Sequence, residues 1–157
     1  MRLVAALGGI VLILDQAAKW LALRRLGPGV SVNVIDSFFS LTLVMNPGLA
    51  FGMLGTVPRG WRWIVALLSI GALGVLAALA ARLLPEGGPV AAVAIGMIFG
   101  GAAGNLIDRA RFGAVVDFLD FYWHGWHWPA FNVADSAISV GVALLALSML
   151  TAKPPKA

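Results

Sequence analysis

A chain of 157 residues that is 61% hydrophobic and only 11% charged cannot cover a water-soluble surface, where about 25% charge is usual. Its mean hydropathy of +0.93 makes lipid the main solvent, and its length admits three or four spanning helices and little else. The formal charge of +4 suits an anionic bilayer surface; the basic residues are too scattered for nucleic acid, and the absence of cysteine excludes a thiol nucleophile, an iron–sulfur site and any disulfide.

Four apolar runs are long enough to cross the hydrocarbon core, about 30 Å at 1.5 Å per helical residue. They cover about 3–23, 63–84, 89–107 and 133–151, and predict a single all-α membrane domain over residues 1–157. The first run is not read as a cleaved leader, because Asp15 and Lys19 interrupt it and no small-residue cleavage site follows. Asp15 and Lys19 are four apart and can pair on one helical face. Between the first two runs, Val30, Val32 and Val34 alternate with polar residues and Leu41, Leu43 and Met45 repeat the pattern, which predicts one or two short strands.

Gly and Ala are abundant in the second and third runs, as expected where helices pack closely in lipid. Pro85-Glu86-Gly87-Gly88-Pro89 predicts a tight turn between them. Gly96, Gly100, Gly101 and Gly104 read as packing positions, since no strand precedes them and no G-K-[ST] follows. Asn105, Asp108 and Arg109 close the third run as a polar cluster; Arg109 can grip a carboxylate or lipid phosphate, or anchor the helix end.

Segments 24–62 and 108–132 then lie together on one side, opposite the two termini. Phe121, Tyr122, Trp123, Trp126 and Trp128 crowd the second of them and predict an aromatic, partly helical segment in the membrane interface. Arg24, Arg25, Arg59, Arg62, Arg109 and Arg111 fall on this side, against Arg2, Arg82, Lys153 and Lys156 on the other. A plain positive-inside count therefore puts the long segments in the cytoplasm.

A charge inside lipid costs at least about 2.5–3.5 kcal/mol at a helix centre and calls for a partner or a purpose. Asp117 sits among Val115, Val116, Phe118 and Leu119, and Asp135 opens the fourth run three residues after Asn132, a candidate N-cap. Asp135 reads either as a helix-dipole partner or, with Asp117, as one of two acids near the same membrane face. Two close carboxylates share a proton, so that one can activate a water while the other donates to a peptide carbonyl. Asp120 is three residues from Asp117, and the sequence does not rank the two.

Other chemistries fit less well. His124 and His127 lack an H-E-x-x-H pattern or a carboxylate at ligand spacing, so neither metal nor cofactor is expected. A Ser136–Lys19 dyad competes with the Asp15–Lys19 pair. A small proton- or cation-coupled transporter or channel is the alternative from another class, but it would spread its acids through the bilayer, and here only Asp15 sits well inside a run. A docking factor that uses the interfacial aromatics is a third reading, which nothing in the sequence requires.

Five blocks in order carry a resemblance over nearly the whole chain. They are Asp15-Gln16 with Lys19; Asn46-Pro47-Gly48-Leu49-Ala50-Phe51-Gly52; Gly101-Ala102-Ala103-Gly104-Asn105-Leu106-Ile107-Asp108-Arg109; Val115-Val116-Asp117-Phe118; and Phe131-Asn132-Val133-Ala134-Asp135. The chain resembles the lipoprotein signal peptidases, or signal peptidases II, with one departure at Leu49, where the family more often has a small residue. The resemblance implies an aspartic endopeptidase with Asp117 and Asp135 as its catalytic pair. It also implies a diacylglyceryl-modified prolipoprotein substrate, cut just before the lipidated cysteine. Asp15, Lys19, Asn46, Gly48, Ala50, Phe51, Gly101, Gly104, Asn105, Arg109, Asn132 and Ala134 form the implied surround, with Asn105, Arg109 and Asn132 holding substrate backbone or orienting the acids. The same resemblance puts the protein in the bacterial inner membrane with the long segments outside and both termini in the cytoplasm, against the charge count. A monomer among membrane lipids is expected, and Ser136 is expected to support the Asp135 carboxylate.

Overall fold

A computed structural model describes residues 1–27, 30–47 and 62–151, the side chains at 62–66, 79, 81, 83–87 and 151 excepted. Gly48, Ala50 and Phe51, with Leu49, lie outside the described residues.

The first apolar run forms α1, Arg2–Arg25, which ends where Leu26 turns extended ahead of Gly27 and Pro28. Arg24 and Arg25 occupy its last turn, where positive charge favours the helix dipole. The second and third runs belong to one element, α2, Arg62–Phe112, broken only at Gly88 (φ 62°, ψ −162°). The expected turn over 85–89 is thus narrower, with helix on both sides of a single left-handed residue that glycine adopts without strain. Leu76 and Ala80 of the first arm pack with Ala91, Ala94 and Ile98 of the second, so the arms fold back on one another. The last run forms α3, Val133–Thr151.

Three described segments are long and apolar enough to cross a membrane: Arg2–Arg25, Gly88–Phe112 and Val133–Leu150. The first arm of α2 contributes a shorter apolar stretch, Leu67–Ala78. Large apolar side chains such as Ile13, Leu67, Val75 and Leu150 are more than 60% exposed, an arrangement that lipid favours and water does not.

Small residues face inward. A Cβ on Gly101 would collide with the Ala134 backbone of α3, and one on Gly104 with the Asp15 carboxylate of α1. Contacts pair Gly8 with Gly96 and Gly100, and Asp15 with Gly104, so α1 runs parallel to the second arm of α2. Gly101 meets Ala134 while Gly141 meets Ala94, so α3 runs antiparallel to that arm. The start of α1 and the end of α3 therefore share one end of the bundle.

The other end carries an antiparallel sheet in the order β1-β2-β3-β4. Val32 and Val34 lie in β1, Ser31–Ile35, with Val30 just ahead of it, and Leu41, Leu43 and Met45 lie in β2, Phe39–Asn46, as their period of two predicts. The segment expected to be aromatic and partly helical is instead β3, Val115–Trp123, and β4, Trp126–His127. Val115, Val116, Phe121, Tyr122 and Trp123 favour the pleated conformation, and β2 supplies the partner strand. His124 and Gly125 have positive φ, the two-residue turn that suits hairpin twist. Phe118 packs on Ala22 and Leu26, seating the sheet on the end of α1.

Candidate active site

Asp117 and Asp135 arrive from different elements. Asp117 lies three residues into β3, and β2 is its neighbour there, with Val44 opposite it and Asn46 opposite Val115. A bulge in β2 between Leu41 and Val44 adjusts that register, and the Asn46 amide donates to Asp117 Oδ2 at 2.9 Å. Phe131 bridges to Leu119 of β3, which delivers Asn132 and the start of α3 to the same place. Asn132 caps α3, its Oδ1 accepting the Asp135 N–H at 2.9 Å. That fixes the amide: its oxygen faces the helix, so its NH2 must face β3. There it donates to Asp117 Oδ1 at 2.7 Å.

Asp135 is held in the same way by Asn105 near the end of α2, whose Nδ2 donates to Asp135 Oδ1 at 2.8 Å. The Asn105 oxygen is occupied by Lys19 Nζ at 2.8 Å and Asn132 Nδ2 at 3.2 Å. Three neutral amides thus hold the two acids, and two of those amides touch each other.

Both acids line a cavity of about 430 Å³. Asn46, Asn105 and Arg109 line it with them, and Ser69 and Ser139 are its remaining polar members. Leu73 and Leu76 from the first arm of α2, Ile98 from the second, and Ile138 from α3 line the apolar remainder. A site of this kind can take a chain with an apolar body while polar groups converge on one bond. Arg109 Nη1 donates to Asn105 O at 3.3 Å, and its charge acts on Asp135, Asp117 and Asp108.

Burial pushes the Asp117 carboxyl up to about 7. The Asn46 bond pulls it down, the Asp135 charge adds to the rise, and Asn132 and Lys19 pull down again. Two acids in one low-dielectric site that repel each other's charge hold a proton near neutral pH.

Asp120, which the sequence left level with Asp117, is not among the residues lining the cavity. Its carboxylate accepts from His127 Nδ1 at 2.9 Å, Ser40 at 3.3 Å and Thr42 at 3.4 Å. His127 is therefore a hydrogen-bond partner of Asp120, stacked on Tyr122. Ser136, expected to support Asp135, donates to the Asn132 carbonyl at 2.9 Å; one turn into a helix, its hydroxyl reaches the carbonyl four residues back more readily than a neighbouring side chain. Lys19 is committed to carboxylates and Asn105, which leaves no Ser136–Lys19 dyad.

Asp15 and Lys19 do pair, at 2.9 Å. Ala134 enters through its backbone, the N–H donating to Asp15 Oδ1 at 2.9 Å. Sequence reasoning missed Gln16 and Asp108 as parts of this buried group. The signal was present in the arithmetic of charge: Asp108 lies one turn above Gly104 in an apolar run, and Lys19 is the only lysine before Lys153.

Comparisons with known proteins identify the family. Residues 7–151 match the family model described as signal peptidase (SPase) II. The lipoprotein signal peptidase of Geobacter sulfurreducens is 50% identical over 146 residues, covering 93% of this chain and 90% of that protein. That of Nitratidesulfovibrio vulgaris is 42% identical over 156 residues, 99% of this chain and 93% of the relative. A bacterial membrane enzyme solved by the in meso method at 2.3 Å superposes with a TM-score of 0.78 at 31% identity, covering 100% of this chain and 94% of the other. Matched by the family model over most of its length and by relatives alike over almost their full length, this chain belongs to the signal peptidase II family of bacterial membrane peptidases.

Proposed function

We propose that the chain is an aspartic endopeptidase in which Asp117 and Asp135 activate a water against one peptide bond of a diacylglyceryl-modified prolipoprotein, just before the lipidated cysteine. The observation that carries the reading is that both carboxylates open on one cavity while neutral amides hold them. Amide donors steady a carboxylate without cancelling its charge, so the pair keeps a movable proton.

The pair holds one proton, on Asp117 at rest. Asp135, in the first turn of α3 where helix N–H groups favour negative charge, takes a proton from the water as its oxygen attacks the scissile carbonyl. Asp117 donates to the carbonyl oxygen. Collapse of the tetrahedral species passes a proton to the departing amine, giving a new carboxylate on the signal peptide and a free amino group on the lipidated cysteine. Asn46 and Asn132 hold Asp117, Asn105 holds Asp135, and Arg109 faces the substrate backbone. Gly48 belongs to the same surround by resemblance.

The whole chain forms one membrane domain, with spans at about 3–23, 63–84, 89–107 and 133–151 and the segments at about 24–62 and 108–132 outside the cytoplasm. The site end faces the periplasm or exterior and both termini face the cytoplasm. Arg109 lies in the site and so weighs little in a charge count of the loops. Trp123, Trp126 and Trp128, each more than half exposed near the β3–β4 turn, sit at headgroup level. The enzyme acts as a monomer among lipids and needs no cofactor.

The test is cleavage of a diacylglyceryl-modified precursor by purified protein in detergent. Wild type and Asp120→Asn cut, whereas Asp117→Asn and Asp135→Asn fold and do not. Equal cutting by all four removes the acid pair from the mechanism.

A further inference from the structure

The interior holds a second charged cluster that the proposed chemistry does not consume. Lys19 is 2% exposed, Asp15 0% and Asp108 1%. Lys19 Nζ donates to Asp108 Oδ2 at 2.7 Å, Asn105 Oδ1 at 2.8 Å and Asp15 Oδ2 at 2.9 Å, which uses all three ammonium hydrogens. Gln16 Nε2 lies between the two carboxylates, 3.2 Å from Asp15 Oδ2 and 3.1 Å from Asp108 Oδ1.

Each of the three acceptors on Lys19 has a second bond, and all three lead to the acid pair. Asp15 Oδ1 accepts the N–H of Ala134, the residue before Asp135, at 2.9 Å. Asp108 Oδ2 accepts the N–H of Val116, the residue before Asp117, at 3.1 Å. Asn105 turns its Nδ2 to Asp135 itself at 2.8 Å. An ammonium can only donate, so it forces the Asn105 oxygen toward itself and the NH2 toward Asp135.

We infer that Lys19, Asp15 and Asp108 form one positioning device that sets both acids, gripping the backbone one residue ahead of each and orienting the amide that holds Asp135. A group of buried charges is a poor choice for holding helices together, since apolar residues of the same volume often serve as well or better. What apolar residues cannot supply is a fixed acceptor for the Val116 and Ala134 amides. The device joins α1 and α2 to β3 and α3, so one ammonium sets two acids carried on separate elements. The inference rests on Asp117 and Asp135 being the catalytic pair.

The charges that act on Asp117 are Asp135 from α3, Lys19 from α1 and Arg109 from α2, and Lys19 in turn is paired with Asp15 of α1 and Asp108 of α2. A change of charge in the device therefore moves the Asp117 proton, which a purely structural brace would not do. Full-length Lys19→Met, Asp108→Asn and the double variant are assayed beside Asp117→Asn for kcat, KM and pH dependence on a lipidated precursor. Lys19→Met loses about 100-fold in kcat, the scale expected when a reacting group is misplaced by about 1 Å, with KM within about threefold. Its alkaline limb moves up by about half a pH unit or more, and that of Asp108→Asn moves down. The double variant recovers about tenfold in kcat over Lys19→Met, because the amide at 108 can accept from Val116 and donate to Asp15.

Parallel losses of thermal midpoint and kcat, with unmoved limbs and no recovery in the double variant, overturn the inference. Should Lys19→Met not fold, the limb of Asp108→Asn decides alone: downward movement supports the device and an unmoved limb overturns it. An active Asp117→Asn removes the acid pair itself, whereas an inert Asp117→Asn beside a wild-type-like Lys19→Met removes only the positioning role.

Discussion

Four aspartates meet near one end of this bundle, three of them buried and Asp135 half-buried, in two environments that share Asn105 as a common wall. Asp15 and Asp108 meet a full positive charge at Lys19. Asp117 and Asp135 meet amides of Asn46, Asn132 and Asn105 and open on the cavity. The same side chain thus serves two ends. Paired with an ammonium, a carboxylate is a fixed acceptor for backbone. Held by neutral donors in a low-dielectric site, it keeps a proton that can move. Asp120 marks a third case, paired with a half-exposed histidine on the sheet.

The sharpest break of this comparison is removal of the acids. Asp117→Asn and Asp135→Asn each lower kcat by about 10³-fold or more, the upper range for losing a general acid or base, as read by precursor cleavage. Asp117→Asn should also be as heat-stable as wild type, or more so, at pH 8. The sign follows from the raised Asp117 value: the folded state holds a proton that the unfolded carboxyl releases near 4, so stability falls as pH rises from about 4 to 7. The Asn side chain, which never ionises, escapes that loss. A thermal-melt series from pH 5 to 8 checks it.

Loss of an amide is milder. Asn132→Ala removes a donor to Asp117 and the cap of α3 together; it lowers kcat about 10–100-fold and costs about 1 kcal/mol of stability. Asn46→Ala takes from Asp117 the bond that most lowers its value, so the alkaline limb of the pH–rate profile, expected near 7 in wild type, moves upward. The smallest effect is expected at Asp120→Asn, within about twofold of wild-type turnover, because its partners Ser40, Thr42 and His127 lie away from the cavity.

Much of this was legible in the residues. The lengths of the apolar runs marked the helices, and the alternation of Val30 to Met45 marked β1 and β2, because period two and period 3.6 leave different traces. Residues 115–127 misled because aromatic crowding suits an interface as well as a strand; only the presence of β2 as a partner decides for β3. Asp117 and Asp135 stood out as acids in apolar settings, but ranking Asp117 over Asp120 needed three dimensions. The bond that separates them is whether the carboxylate meets Asn46 and Asn132 or His127, residues from different parts of the chain. The shared ammonium was half visible: a spacing of four paired Lys19 with Asp15, while Asp108 is 89 positions from Lys19 and no local rule joins them.

The most direct test of the two environments is single-turnover cleavage of a diacylglyceryl-modified precursor at saturating protein, with Asn placed in turn at Asp15, Asp108, Asp117 and Asp135. The account predicts slowed but measurable cleavage, by about 10–100-fold, for the two aspartates on Lys19 and none for the two on the cavity. Equal residual rates at all four positions would contradict it.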